Sequence, residues 1–406
     1  MSEYQYYEFQ AVDRPLTKDE MADLRAISTR ATITPTRFVN VYNYGDLNAD
    51  PLDLVERYFD AFVYVANWGT HQLAFRIPRR LLDPATALRD AFEDCLDVRE
   101  KGEFVIVEFI SRDEDGGGWV DDEEAAGWLP SLLPLREDIA RGDWRGLYLA
   151  WLAGAQVRAS YDREAAAAED DKESDWDDED DESDRDEDQG GEADMTETIE
   201  PPVPPGLRDL SASLTALAEF LRIDTDLLTA AATASPDLPT QLSPGDYARW
   251  VTALPAAEKD AWLVRFVTED PGSVRVELTR QLEGGNSPSR VAATGGRSVA
   301  ALLAAADEQK KARRRQEAEQ AAVGRAKHMA SLVGRESELW QRVENLIDAK
   351  RPKEYDDAVA ILKDLRDLAT WQDSSERFIK KLRQLQTHHA NRPAFLKRLQ
   401  SAGLNV

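Results

Sequence analysis

Two strand-like stretches, over residues 62–67 and 72–77, stand around Trp68, Gly69 and Thr70, and in the second apolar and polar positions alternate. Leu73, Phe75 and Ile77 fall on one side and Gln72, Ala74 and Arg76 on the other, the period of a half-buried β-hairpin. Residues 4–12 are aromatic-rich and read as a strand. Residues 32–44 read as another, with Pro35 at an edge or bend. Residues 104–110, apolar on both faces, read as a central strand. Helical patterns fall between them. The first, over 18–28, carries Met21, Leu24 and Ile27 on one stripe and starts with capping-box spacing, Thr17 three before Glu20. Further helices are predicted over 53–60, 84–95, 122–133 and 144–157, with Trp128, Trp144 and Trp151 as core anchors. Together these predict an α+β domain over residues 1–160, one mostly antiparallel sheet with helices.

From residue 206 onward the period is helical. Leu210, Leu214, Leu217 and Leu221 share a stripe, as do Tyr247, Trp250, Val251 and Leu254. Trp262, Phe266 and Val267 mark the next helix, and 274–282 another. A long proline-free stretch, 298–350, carries Met329, Leu332, Val333, Trp340, Val343 and Ile347 at helical spacing. Within it, 306–321 has no large apolar residue, so a helix there has nothing to bury and stands in water. Residues 355–371, with Ala358, Ile361, Leu362, Leu365 and Leu368, form a clean amphipathic helix. Residues 375–389 and 393–399 complete a helical hairpin. The C-terminal part is predicted all-α, with a helical domain over 206–283, a Gly/Ser-rich joint over 284–297, and a long helix and hairpins over 298–406.

Charge separates these parts. The stretch 162–200 holds 21 Asp+Glu against 3 Lys+Arg and has almost no large apolar side chains. Ordering a residue costs about 1–2 kcal/mol of backbone entropy, which so little apolar surface cannot offset. Residues 161–205 therefore read as a disordered acidic linker, stiffened at its end by Pro201–Pro205 and serving as a solubilising tether or a polyanion mimic. The whole chain is at −27, yet 297–406 is positive, with 22 Lys+Arg against 15 Asp+Glu. Its sharpest feature is Lys310, Lys311, Arg313, Arg314 and Arg315, five cations in six helical positions. Three readings stay open for them: phosphate contact, contact with the chain's own acidic run, or a solvated helix balanced by Asp307, Glu308, Glu317 and Glu319. No aromatic residues are interleaved, so base stacking has no support.

Candidate chemistry is sparse. Cys95 is the one cysteine, which excludes an intrachain disulfide and a Cys-based metal site and fits a reducing cytoplasm. The start has neither basic nor apolar signal regions, and the most apolar stretch, 146–157, is far short of the ~18 residues of a membrane span, so a cytoplasmic protein is expected. Glu108 interrupts the central strand; it reads as a carboxylate on an open face or paired with an arginine such as Arg76, or as a buried acid of raised pKa. The loop 113–124 gathers carboxylates around three glycines but misses EF-hand spacing, which favours a solvated turn. Residues 283–297 lack the ending of a phosphate-binding loop. His388 and His389 are adjacent and diverge on a helix, and with only His71 and His328 besides, no metal site and no catalytic set is expected. No cofactor motif is found.

The stretches YQYYEFQAVDRPLT, YNYGD, RYFDAF and ANWGTHQLAFRIP within the first 110 or so residues resemble a family of uncharacterised bacterial proteins. That resemblance implies no activity. The tail, EYDDAVAILKDLRDLA through HHANRPAFLKRL, resembles the helical tail of some bacterial SWIM zinc-finger proteins. The zinc ligands of that family are missing, so the resemblance implies a helical docking module and no zinc. The expectation is a non-enzymatic interaction or adaptor protein that docks a protein partner through its C-terminal amphipathic helices. The alternatives are a nucleic-acid-associated factor using the cluster 310–315, or an enzyme with a site in the N-terminal domain around Glu108.

Overall fold

The computed structural model describes residues 3–88, 92, 94–112, 120, 122–173, 198–238, 243–269, 271–282 and 296–404. The middle of the acidic run, most of the glycine-rich acidic loop and nearly all of the joint before residue 296 lie outside the described residues. In chain order the elements are β1 (Gln5–Gln10), α1 (Lys18–Ile27), β2 (Thr32–Thr34), β3 (Arg37–Tyr42), α2 (Pro51–Arg57), β4 (Ala61–Ala66), β5 (Thr70–Pro78), α3 (Pro84–Leu88), β6 (Leu96–Lys101), β7 (Phe104–Arg112), α4 (Asp122–Leu132), α5 (Pro134–Arg141), α6 (Arg145–Glu173), α7 (Ala212–Phe220), α8 (Thr225–Ala232), α9 (Pro244–Ala253), α10 (Ala256–Thr268), α11 (Pro271–Leu282), α12 (Val299–Leu332), α13 (Glu336–Asp348), α14 (Pro352–Trp371), α15 (Ser375–His388) and α16 (Pro393–Ser401). The chain forms two compact units, Met1–Gln309 and Lys310–Val406.

The first unit is built on a seven-stranded antiparallel sheet in the order β2-β3-β1-β4-β5-β7-β6. Alternation along the strands sends side chains to two faces. Tyr7, Phe9, Phe38 and Phe62 meet Leu24 of α1 and Leu54 and Val55 of α2 on one face. Val63, Leu73, Phe75, Val107 and Phe109 line the other, beneath α4 to α8. The β4–β5 hairpin turns at Trp68–Gly69 as its pattern predicts, and the capping box of Thr17 and Glu20 opens α1.

Helices α7 and α8 join this unit, because Leu214, Leu217, Phe220 and Leu227 enter the same core as the sheet. The helical segment 206–283 therefore does not stand apart as a domain of its own. His71 of β5 locks α7 in place. Its Nδ1 lies 3.0 Å from the Phe220 carbonyl, and its Nε2 lies 3.1 Å from Arg222 Nη2. A guanidinium can only donate, so Nε2 is the acceptor and Nδ1 carries the proton. Burial first, and the charge of Arg222 second, push this imidazole down to about 4.

The acidic run differs from expectation at both ends. Helix α6 continues to Glu173, well past the end expected near 157. At the far end Ile199 bridges Ser298, and Glu200 is buried, paired with Arg297 (Nε–Oε2 2.8 Å) and accepting from the Tyr148 hydroxyl. Residue 173 and residue 198 both belong to the first unit, and residues 174–197 between them lie outside the described residues. Further differences are local. Of the helix expected over 84–95, Pro84–Leu88 is helical, residues 89–91 and 93 lie outside the described residues, and the edge strand β6 begins at Leu96. Residues 32–44 split into β2 and β3 around Pro35. Gly334, at φ 79°, ends α12 in the left-handed conformation that glycine adopts without strain.

Candidate functional site

The second unit is where the sequence placed the docking helices. Helices α13 to α16 form a bundle whose core holds Val343, Ile347, Ala358, Leu362, Leu365, Leu368, Leu382 and Leu385. Phe395 and Leu399 of α16 close it. The stripe expected on 355–371 thus faces inward, with Ile361 half-buried at its margin. The apolar surface offered for docking is consumed by the unit's own core.

The cluster Lys310, Lys311, Arg313, Arg314 and Arg315 lies on α12. Every residue from 311 to 328 is exposed, and Lys310 is half-buried. Arg313 Nη1 pairs with Glu317 Oε1 at 2.9 Å, one turn along the helix. A bare helix without a stripe draws support from such i,i+4 pairs, worth about 0.2–0.5 kcal/mol each. The structure brings no second element over these cations, so they form an open charged surface and not a pocket.

A cationic cleft the sequence reading missed lies between α15 and α16. It has a volume of about 850 Å³ and is lined by Arg383, Gln386 and Thr387 from one helix and by Leu396, Lys397 and Gln400 from the other. Pro393, the first residue of α16, borders it. A second cleft of about 460 Å³ runs along α15 past Glu376, Ile379, Lys380 and Gln384 and shares Arg383. Over residues 375–404 there are 7 Lys+Arg against 1 Asp+Glu. The signal was present but dispersed, seven cations spread irregularly over two helices and the turn between them, so it did not stand out as KKARRR does.

A second feature lies in the first unit. Helix α9 opens with a capping box made by Ser243 and Asp246, and α10 follows after Leu254 and Pro255. Neither helix buries a single residue. Leu263, Val264 and Val267 of α10 are 64%, 60% and 86% exposed, and Val251 of α9 is exposed as well. Arg265 stacks over the Trp262 ring and is tied to Glu269 and Glu277. Both helices contact α11, whose Val274 and Val276 are buried.

The groups singled out for chemistry sit as follows. Glu108 is buried. It accepts a short hydrogen bond from Gln72, and its Oε2 lies 3.5 Å from Arg99 Nη2, longer than a good hydrogen bond. Burial above all raises its pKa. Its arginine partner is Arg99 of the edge strand, itself held 2.5 Å from Asp97. Arg76 instead pairs with buried Asp60, at 2.7 Å, which also accepts from the backbone N–H groups of Val12 and Asp13. Neither cleft borders Glu108, and its contacts make an ion-pair ladder across β7 and β6. In the loop 113–124, Asp122–Glu124 open α4 and the rest, apart from Val120, lies outside the described residues. The rings of His388 and His389 stand edge-on, 4.8 Å apart, and His328 contacts Asp364 at 3.3 Å. Among the described residues no group of three or more His, Cys, Asp or Glu is placed to hold a metal ion. Cys95 is buried, which pushes its thiol up to about 11 and leaves it unreactive. No described helix is long and apolar enough to cross a membrane.

No protein-family model matches the chain, and no curated protein or solved structure is significantly similar to it, so the geometry alone carries the functional reading.

Proposed function

We propose that the chain is a non-enzymatic interaction protein that docks a protein partner on the apolar outer face of α9 and α10. One observation carries this: two consecutive regular helices, the first opened by a capping box, that leave Leu263, Val264 and Val267 in water. Burying such a side chain is worth about 1.5–3 kcal/mol, so a fold that leaves three together forgoes stabilisation that a partner would recover. Contiguous exposed apolar surface of this kind marks interaction sites, and a helix face is a recurrent form of it. A second copy is the poorer occupant. Residues 1–309 hold 29 Lys+Arg against 64 Asp+Glu, a net −35, and two such bodies repel.

The test compares the full chain with the Leu263→Ser/Val267→Ser variant. The wild type should enhance the fluorescence of an apolar-surface dye, sediment as a monomer, and retain from cell extract a protein that the variant does not. Equal dye binding and equal capture by the two forms overturns the reading. A wild-type dimer dissolved by the variant would assign the face to self-association instead. A second reading, nucleic-acid association, is favoured by the second unit, where residues 310–406 hold 21 Lys+Arg against 13 Asp+Glu, a net +8.

A further inference from the structure

We infer that the cleft between α15 and α16 binds the phosphodiester backbone of nucleic acid without reading its sequence. This site is separate from the α9–α10 face and rests on the second reading above. Three features of the cleft point to a phosphate. Arg383 and Lys397 come from opposite walls, both exposed, and among the described residues neither takes part in an ion pair. Their charge is therefore available to a ligand, unlike that of Arg313, which is held by Glu317. Gln400 adds an amide of the kind that commonly completes backbone contacts. The N-terminus of α16, a nine-residue helix with no side-chain cap, borders the cleft at Pro393 and adds the favourable end of its dipole.

The ligand is extended and repeatedly charged. Lys380 and Arg383 lie one turn apart on α15, and the two clefts meet at Arg383, which makes a row of cations with Lys397 across from it. A single carboxylate or free phosphate would use one cation or two and leave the rest of about 850 Å³ empty. The lining offers only Leu396, Ile379 and Pro393 as apolar contacts and no aromatic ring, so it has little grip for peptide side chains and no platform for bases. Backbone recognition independent of sequence is what remains.

Fluorescence anisotropy of the full chain with a labelled duplex of scrambled sequence, titrated at several salt concentrations, tests this. Wild type should bind at about 50 mM salt and lose affinity steeply toward 200 mM. Arg383→Ala/Lys397→Ala should bind at least tenfold more weakly, with the salt slope reduced by roughly 2, as two lost phosphate contacts require. Arg314→Ala/Arg315→Ala on α12 should change affinity less than the cleft variant does. Circular dichroism of each variant confirms the fold, and Lys397→Glu, a surface charge reversal, should weaken binding further than Lys397→Ala. The inference is overturned if wild type fails to bind the duplex, if the cleft variant binds like wild type, or if a poly-glutamate peptide competes as well as unlabelled duplex of equal charge.

Discussion

Helices α9–α10 and α13–α16 carry the same kind of pattern and end in opposite places. Both regions repeat apolar residues at helical spacing and both become helices. In α14 the stripe Ala358, Leu362, Leu365 and Leu368 is buried among its neighbours. In α10 Trp262 and Phe266 are half-buried while Leu263, Val264 and Val267 are left outside, Val267 86% exposed. The difference is in what lies nearby. The C-terminal helices supply one another with apolar surface, Val343 and Ile347 from α13 and Phe378, Leu382 and Leu385 from α15. Helix α11 places Val276 in the core of the sheet, and its contact with α10 leaves that helix without a fully buried residue. Periodicity says that a segment is a helix with a face; it does not say that anything covers the face.

This contrast can be broken by substitution. Leu362→Ala, at a position with no exposure, should cost about 2–5 kcal/mol, read as a lower midpoint for the C-terminal unit in calorimetry or urea unfolding. A loss under 1 kcal/mol would mean that the bundle is not packed as described. The joint between the sheet and α7 gives the next largest effect. His71 has its folded pKa at about 4, below the ~6.5 of an unfolded histidine. It is neutral in the fold, so its contribution is present above pH ~6.5 and is lost as pH falls toward 4. Relative to His71→Gln, the wild type should lose on the order of 1–3 kcal/mol between pH 7 and pH 4, measured as the difference in melting temperature across that range.

Smaller effects sharpen the contrast. Gly324 sits in the exposed middle of α12, and an added methyl would meet nothing within 4 Å. Gly324→Ala should stabilise that stretch by about 0.5–1 kcal/mol, seen as slower amide exchange over 315–328. Last, Leu263→Ala should change stability by less than about 0.5 kcal/mol, since the side chain it shortens is already in water. A loss comparable to that of Leu362→Ala would show that the α10 face is covered in the free protein, and the proposed docking surface would fall with it.

Local chemistry made much of the secondary structure readable. The β4–β5 alternation, the capping box at Thr17 and Glu20, the Ser243-Pro244 start of α9 and the bare middle of α12 all follow from neighbouring residues. Strand β6 was not readable, because Leu96 and Val98 alternate with Asp97 and Arg99 over too few positions to outweigh its charge; only pairing with β7 makes it a strand. The candidate sites were half readable. The compact cluster at 310–315 was plain, while the cleft cations are spread along two helices and gather only when α15 folds against α16.

The order of charges and the helical and strand periods belong to the sequence by itself, since each depends on residues a few positions apart. Three things were decided by long-range packing. Glu200, at the end of the acidic run, packs onto its own unit by finding Arg297 and Tyr148, α7 and α8 join the sheet through Phe220 and His71, and Leu263, Val264 and Val267 of α10 stay uncovered. Each turns on contacts between residues far apart in the chain, whose closure cost and available partners no local pattern encodes.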